Sequence, residues 1–367
     1  MTTNIIITAK NREGVSINID SLPVSLKVNS FTWHCLGGPL MAEIQGVSDD
    51  RESVWEFIEW LRYEIILLSP TTGLPVWWGI VSGVSIRDNS GFEYGVEIDS
   101  MYNRVRADFT YQADGETSGV ADITTWAQDD DSVDEFGARE LIVKSNNVST
   151  AFAENDRDTA LEVYKYPQPT ITPGDGSETT YMAVLRLSGW WTTLDWMYYL
   201  NSGNTYETVE DQILYIIAQC GQFFGDVETD LSATILTSPY RDGSQTGRGE
   251  VEKLLQAGSD NLKWILATVN SDLTVSLFEE PDRVVTVYMA PNGELTNGNG
   301  VEILPETCPV GCWLAATTGV PQTADLSRLT APFPAFVVEA TWDSEGGYTP
   351  VTRGKPSPFE LLGGLSR

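Results

Sequence analysis

The sequence is poor in the residues that metal and nucleophilic chemistry most often need. Its 367 residues include one histidine, His34, and four cysteines. A zinc site of the H-E-x-x-H kind is excluded because it needs two histidines. A Ser-His-Asp or Cys-His site could use only His34, whose strand-like context between Trp33 and Cys35 favours a structural role. The cysteines are too few to staple a fold of this size, and Cys308 and Cys312 form a C-x3-C pair without a nearby histidine, so we interpret all four as thiols.

Basic residues are also scarce. The chain carries 22 Lys and Arg against 52 Asp and Glu, which gives a formal net charge of -30 at pH 7. A protein that binds nucleic acid or an anionic membrane through a basic patch needs the opposite balance. The composition therefore disfavours both classes, and the field of the chain repels polyanions that come near it.

Long apolar runs are missing as well. The isoleucine run at residues 5–7 is short, and no window approaches the roughly 18 consecutive apolar residues of a membrane span. We therefore predict neither a signal peptide nor a transmembrane segment. The protein is expected to be made and kept in the cytosol, or assembled there.

The residues that are present indicate a folded, mostly β protein. Apolar residues make up 41% of the chain and aromatic residues 10%, which is enough apolar surface to outweigh the entropy of ordering. The first hundred residues alternate apolar and polar positions, the pattern of half-buried strands. One helix is predicted at 53–61 from the spacing of its apolar residues, and a hairpin is predicted between 63–68 and 76–80.

Helical periodicity returns at 209–220 and more briefly at 251–258, and a hairpin is predicted between 264–269 and 273–278. Strands are predicted again at 284–289 and 336–340. The predicted fold class is α+β, mostly β, with two small β-barrel or sandwich domains and a mixed α/β middle. The predicted division is an N-terminal β domain with one helix (1–111), an acidic and Pro/Gly-rich crossover with strands (112–185), the middle domain (186–282) and a C-terminal β-rich domain with a loose tail (283–367).

Candidate sites are few. The acidic run at 129–131 lacks the alternating spacing of an EF-hand loop and is predicted to be a solvated loop. The glycine-rich segments at 174–176 and 298–300 lack the lysine and the strand-to-helix setting of a phosphate cradle, so they are predicted to be turns. No catalytic, cofactor-binding or metal-binding residue is predicted.

Two pairs of adjacent tryptophans are the candidate subunit-interface residues: Trp77, Trp78, Trp190 and Trp191. Aromatic side chains contribute much of the energy of buried interfaces. The same residues could instead pack in the core of the chain, or line a sugar-binding cleft in which two carboxylates act as acid and base.

One segment resembles a known family. Residues 131–140, D-S-V-D-E-F-G-A-R-E, resemble the S-I-x-x-Y-G-x-R-E segment of the tail hub proteins of long-tailed phages. In that family an R-D-x-x-L element and a proline follow, and residues 157–161 (R-D-T-A-L) and Pro167 stand in those places here. The tyrosine of the family is Phe136 in this chain, which keeps the ring and loses the hydroxyl.

Further segments follow in the family's order through nearly the whole chain. They are Gly46, the helix at 53–61, residues 76–81 (V-W-W-G-I-V), Gly189 with Trp190, the helix at 209–220, residues 250–278 and residues 309–314 (P-V-G-C-W-L). Each of these motifs is short, and the 76–81 hairpin is shared by hub and distal tail proteins.

The resemblance implies a structural virion protein and not an enzyme. It implies a baseplate or tail-tip hub in which three chains form a ring, each giving two tube-type barrel domains that continue the tail tube with pseudo-sixfold symmetry. The implied partners are further copies of the chain, the distal tail protein or tail tube, the tape-measure protein, and tail fibres or receptor-binding proteins. DNA would pass through the lumen without specific binding, and an acidic wall would not trap it. The implied location is the phage tail tip, after assembly in the host cytoplasm.

Two alternatives stay open at this point. A carbohydrate-binding or glycan-cleaving β-protein would use its tryptophans on sugar faces. A distal tail or tube adaptor protein would form a ring of six chains instead of three.

Overall fold

The computed structural model describes residues 5–87, 91–112, 119–146, 148–174, 180–203, 205–260, 263–281, 285–290, 293–316 and 335–353. Within these ranges the chain folds mainly into β-strands with five α-helices between them. The predicted fold class, α+β and mostly β, is confirmed.

The N-terminal part is a sheet with one short helix. Its strands are β1 (Ile6–Lys10), β2 (Ser16–Ile17), β3 (Ser25–His34), β4 (Leu36–Ser48), β5 (Glu64–Leu68), β6 (Pro75–Arg87) and β7 (Phe92–Glu97). The next strand along the chain, β8 (Arg104–Tyr111), belongs to a separate sheet. The helix α1 (Arg51–Trp55) begins where Asp50 accepts a hydrogen bond from the Ser53 amide at 3.1 Å, an N-cap arrangement. It continues as a 3-10 helix at Glu56–Trp60, so the helix predicted at 53–61 is confirmed in place, with a tighter second half.

The strand β6 organises this sheet. It pairs antiparallel with β5, which confirms the predicted hairpin, and then continues along β7 as one long strand. On its other side lies β13 (Tyr181–Ser188), which in turn pairs with β4, and β4 pairs with β3. A strand from residue 181 onward therefore lies at the centre of a sheet that the first hundred residues otherwise build.

A smaller sheet follows in the chain. It consists of β8, β9 (Val120–Ile123), β10 (Ala127–Gln128) and β11 (Glu140–Ser145), with α2 (Asp130–Phe136) before β11 and α3 (Thr150–Tyr164) packed across β8. One buried apolar cluster of this sheet consists of Ala107, Phe109 and Ala153, and Val105 of β8 is buried as well. The strand β12 (Pro169–Pro173) then returns to pair with β7 and is exposed along its length.

The middle part is mixed α/β, as predicted. Its elements are a 3-10 helix (Trp190–Trp196), β14 (Tyr198–Asn201), β15 (Glu207–Thr208), α4 (Val209–Cys220), β16 (Val227–Asp230), β17 (Leu236–Thr237), β18 (Arg241–Thr246), α5 (Gly247–Ala257), β19 (Ile265–Val269) and β20 (Val275–Glu279). The apolar stripe of α4 is buried, α5 ends at Gly258 with φ 80°, and β19 and β20 form an antiparallel hairpin. These observations confirm both predicted helices and the hairpin.

The C-terminal strands join the N-terminal sheet. They are β21 (Thr286–Met289), β22 (Leu295–Thr296), β23 (Trp313–Ala316), β24 (Ala335–Asp343) and β25 (Gly347–Arg353). β24 pairs antiparallel with β3, with Trp342 opposite Phe31 and the two rings stacked at 5.0 Å between centroids. The strands predicted at 284–289 and 336–340 are confirmed where they are described. The tail from residue 354 lies outside the described residues, as do parts of the glycine-rich segment at 174–176.

The strand pairings form a branched path, and within the described ranges no pairing closes it into a barrel. The barrel or sandwich domains, and the division at residues 111, 185 and 282, stay predictions. In the part of the chain that the structure describes, no helix combines the length and apolar character needed to cross a bilayer.

Candidate functional site

The family-like motif at 131–140 forms most of α2 and the turn into β11. Asp129 begins the helix by accepting a hydrogen bond from the Ser132 amide at 3.0 Å, and Gly137 follows its last residue with φ 89°. A Cβ built on Gly137 would lie 2.4 Å from Cζ of Phe223, so both the backbone and the space favour glycine. The prediction of a solvated loop at 129–131 is therefore wrong: the run is a helix start, where carboxylates cap amides and face the positive end of the dipole.

The side chain of Asn103 holds this motif to the start of β8. Asn103 is fully buried, and its Nδ2 donates to the Gly137 carbonyl at 2.9 Å and to Ser132 Oγ at 3.2 Å. Its Oδ1 accepts from the Arg139 amide at 2.7 Å. The Asn103 backbone adds two more bonds, donating to Arg139 O and accepting from the Asp129 amide. One residue thus satisfies the polar groups of a whole turn.

Two buried charged residues of the motif connect the parts of the chain. Arg139 Nη1 donates to Asp99 at 2.8 Å, next to the large sheet. Glu140 pairs with Arg104 of β8 at 3.2 Å and accepts a hydrogen bond from the Tyr198 amide of β14 at 2.8 Å. Burial raises the pKa of Glu140, although both of these contacts oppose the shift. Arg139 and Glu140 together therefore link the large sheet, the small sheet and the middle part.

Phe136, which stands where the family has tyrosine, is also buried. The Arg12 guanidinium lies 4.8 Å from the centroid of its ring, and Arg12 also donates to the Leu61 carbonyl at 2.9 Å and pairs with Glu135. A cation over an aromatic face needs no hydroxyl. The replacement of tyrosine by phenylalanine is compatible with this contact.

The motif contacts the middle part a second time, through two hydrogen bonds between the Ala138 backbone and the Gln222 side chain. The Ala138 amide donates to Gln222 Oε1 at 2.8 Å, and Gln222 Nε2 donates back to the Ala138 carbonyl at 2.9 Å. Residues 131–140 therefore hold the two sheets and the middle part together. We call these residues, together with Asn103, the motif joint. No sequence pattern indicates Asn103, Asp99 or Gln222, because each acts alone from outside the motif.

All four tryptophans proposed for a subunit interface lie inside the chain. Trp77 and Trp191 are 0% and 1% exposed, and Trp78 and Trp190 are 9% and 5% exposed. Trp78 Nε1 donates to the Val269 carbonyl at 2.9 Å, which joins β6 to β19. This burial agrees with the alternative of ordinary core packing. A contact with a second subunit stays a prediction for these residues.

Three of the four cysteines line one apolar cavity. It has a volume of about 290 Å³ and is lined by Cys35, Cys308, Cys312 and His34, among others. All four cysteines are thiols, as predicted, and burial raises the pKa of Cys35 and Cys308 to about 12. His34 Nδ1 accepts a hydrogen bond from the Leu36 amide at 3.1 Å. Among the described residues, no group of three or more His, Cys, Asp or Glu side chains is arranged to hold a metal ion.

The small sheet carries exposed apolar side chains. Of the 15 residues of α3, only Ala153 is buried, and Phe152 beside it is 66% exposed. On the neighbouring strand β9 every residue is exposed, including Ile123 at 56%. Single exposed apolar residues are common on protein surfaces, whereas a contiguous patch of them is typical of a surface that another molecule covers.

No family model and no curated protein matches the sequence. The chain is similar to an E. coli component of the type VI secretion system, itself described as structurally similar to the T4 tail proteins gp27 and gp5 (TM-score 0.41, 11% identity, 92% of this chain and 77% of that chain). It is similar to a 43 kDa tail protein of prophage MuSo2 from Shewanella oneidensis (TM-score 0.43, 5% identity, 98% of each chain). It is also similar to a tail protein from Neisseria meningitidis (TM-score 0.42, 7% identity, 94% of each chain).

Proposed function

We propose that this chain is a structural protein of a phage tail, a hub at the tail tip or baseplate. Three copies form a ring that continues the tail tube and connects it to receptor-binding components during infection. Its neighbours in the virion are the distal tail protein or tail tube, the tape-measure protein and the tail fibres. DNA passes through the lumen of the ring without specific binding. The protein has no catalytic role.

The motif joint supports a structural role for the residues that resemble the hub family. Asn103, Arg139 and Glu140 are buried, and the described contacts of their side chains are with other parts of the same chain. A catalytic set needs side chains that converge on open space within reach of a substrate. The resemblance therefore concerns residues that fix the relative position of the sheets.

The exposure of α3 is the observation that supports assembly of the chain with further subunits. A helix of 15 residues that buries one side chain gains little from packing on its own sheet, and the buried cluster between them consists of Ala107, Phe109 and Ala153. Helices in water are stabilised mainly by burying an apolar face. A neighbouring subunit that covers Phe152 and the exposed side of β9 would supply the missing contact.

The test is the mass of the purified chain in solution by multi-angle light scattering, with negative-stain images of the same fraction. The proposal expects three times the 40.4 kDa of one chain, with hollow rings. A hexamer would favour the distal tail or adaptor alternative. A mass of one chain at every concentration, without rings, would contradict the proposal.

A variant pair locates the contact. Phe152→Glu places a charge on the exposed side of α3 and should weaken assembly at least about tenfold, because a charge is buried without a partner. The matched control is Tyr215→Glu on the outer side of α4, where Tyr215 is 53% exposed. Both variants should keep the circular dichroism spectrum of the parent. Equal assembly of the two variants would exclude α3 from the interface.

A further inference from the structure

A second pocket lies in the middle part, between residues 237–245 and one face of α5. These residues comprise the connection from β17 to β18 and most of β18, and we refer to them together as the loop. The pocket has a volume of about 530 Å³, within the range of small-molecule sites. Glu250 and Lys253 line it from α5, and Tyr240, Asp242 and Gln245 line it from the loop. It is separate from the motif joint and from the cysteine cavity.

The charges that line this pocket cancel. Glu250 is buried and forms ion pairs with Arg241 and with Lys253, the latter at 3.0 Å between Nζ and Oε1. The Arg241 Nε–H in the first pair is not aligned for a hydrogen bond to the carboxylate, so that contact is electrostatic. With Asp242 the lining has two positive and two negative side chains. An anionic ligand would find both cations already neutralised, in a chain whose net charge of -30 repels it.

Polar groups with spare hydrogen-bonding capacity nevertheless face the opening. Gln245 is exposed, and its amide makes no hydrogen bond within the described part of the chain. Asp242 accepts from the Ser244 amide at 2.9 Å and from the Ser244 side chain, and the remaining lone pairs of its carboxylate can accept from a ligand. Tyr240 lines the same pocket and is 57% exposed. A sugar ring needs this combination, since its hydroxyls both donate and accept and its C–H face packs on an aromatic ring.

We propose that this pocket binds a neutral saccharide. The loop is held in shape before any ligand arrives, because Arg241 Nη1 donates to the carbonyls of Ser238 at 2.9 Å and Tyr240 at 2.7 Å. Arg241 Nη2 also donates to the buried Gln212 at 3.2 Å, which anchors the loop to α4. A loop that is already ordered loses less entropy on binding. The site does not require the ring assembly proposed above and works in a single chain.

The pocket binds and does not cleave. Glycoside hydrolysis needs two carboxyl groups, one of which gives a proton to the leaving oxygen. Both oxygens of Glu250 are engaged by cations, so Asp242 is the one lining carboxylate outside this ion-pair cluster. The saccharide is therefore a ligand, either a free oligosaccharide or one unit of a polysaccharide on the host surface.

The experiment screens the full chain for binding to a glycan array of neutral and anionic oligosaccharides and to purified cell-wall polysaccharide. The affinity of any ligand that binds is then measured by calorimetry. Tyr240→Ala should weaken binding at least about tenfold through the lost ring contact. Gln245→Ala should weaken it roughly two- to tenfold, the range for one hydrogen bond. Tyr215→Ala, an exposed tyrosine outside the pocket, is the control and should leave the affinity unchanged.

Loss of binding in Tyr240→Ala and Gln245→Ala, but not in the control, supports the proposal. A free monosaccharide that competes with bound polysaccharide identifies the shared sugar unit, whereas binding of the polymer alone identifies the host surface as the source. Silence across all neutral glycans, binding only of anionic glycans, or equal affinity in all three variants overturns the proposal. Release of reducing sugar from a bound glycan overturns the conclusion that the pocket only binds.

Discussion

Removal of the Asn103 side chain should strongly destabilise the protein. In Asn103→Ala the Gly137 carbonyl and the Arg139 amide lose their side-chain partner in a buried place, whereas Ser132 Oγ still donates to the Lys165 carbonyl. Each buried polar group left without a partner costs about 1–3 kcal/mol, so we expect a loss of about 2–6 kcal/mol of unfolding free energy. The total for a folded domain is only roughly 5–15 kcal/mol. The expected loss is therefore a large fraction of the stability of a typical domain.

Urea unfolding measures this loss, followed in parallel by tryptophan fluorescence and far-UV circular dichroism. The two probes must give the same midpoint before a single free energy is derived, because a chain of this length can unfold in stages. Asn146→Ala is the matched control at an exposed asparagine and should change the free energy by less than about 0.5 kcal/mol. Asn103→Asp keeps the acceptor for the Arg139 amide but sets a carboxylate oxygen against the Gly137 carbonyl, so it should be at least as damaging. A loss in Asn103→Ala no larger than in the control would refute this account of the motif joint.

Three further predictions concern the same parts of the molecule. Burial raises the pKa of Glu140 in the native protein above its ordinary value of 4.5. Between the ordinary and the raised pKa the native state binds more protons than the unfolded state, so the stability of the wild-type protein falls as the pH rises through this interval. The unfolding free energy of Glu140→Gln relative to wild type should therefore increase from about pH 4 to about pH 7 in urea titrations, and a constant difference would contradict the assignment. Burial raises the pKa of Cys35, Cys220 and Cys308 to about 12. Their reaction with a thiol reagent at about pH 8 should therefore be at least a hundredfold slower in the native protein than in urea, and a fast reaction of any of the three in the native protein would contradict this prediction. Gly137→Ala should cost about 1–3 kcal/mol more than Gly73→Ala in thermal unfolding, since Gly73 also has a positive φ but open space around it, and equal costs would exclude the Phe223 contact.

Elements with an apolar stripe could be predicted from the sequence. Val209, Ile213, Ile216 and Ile217 recur at helical spacing, and all four are buried in α4. The helix α3 carries no such stripe, because Ala153 is its one buried residue, and its sequence therefore does not predict a helix. The apolar periodicity of a segment reflects which of its residues are buried, so a helix with little buried surface shows almost no periodicity in the sequence.

Contacts between distant parts of the chain could not be predicted. β13 lies between β4 and β6, and β24 beside β3, through pairings that join residues more than ninety positions apart. The alternation of each strand fixes which face is buried but does not name its neighbour. The same limit applies to the tryptophan pairs, where composition indicates burial and only the tertiary structure distinguishes the core of one chain from an interface.

The few basic residues of this chain are placed where they connect its parts. The side chains of Arg12, Arg139 and Arg353 keep only 18%, 7% and 16% of their surface exposed, and each pairs with a carboxylate. Arg353 also lies 3.4 Å above the Trp264 ring, which ties β25 to the hairpin of the middle part. Cations used in this way neutralise few of the 52 acidic residues of the chain. Copies of the chain therefore repel one another at long range, although physiological salt screens this repulsion beyond about 8 Å. The ring proposed above would need burial of apolar area, such as that of α3 and β9, to exceed the repulsion that is left.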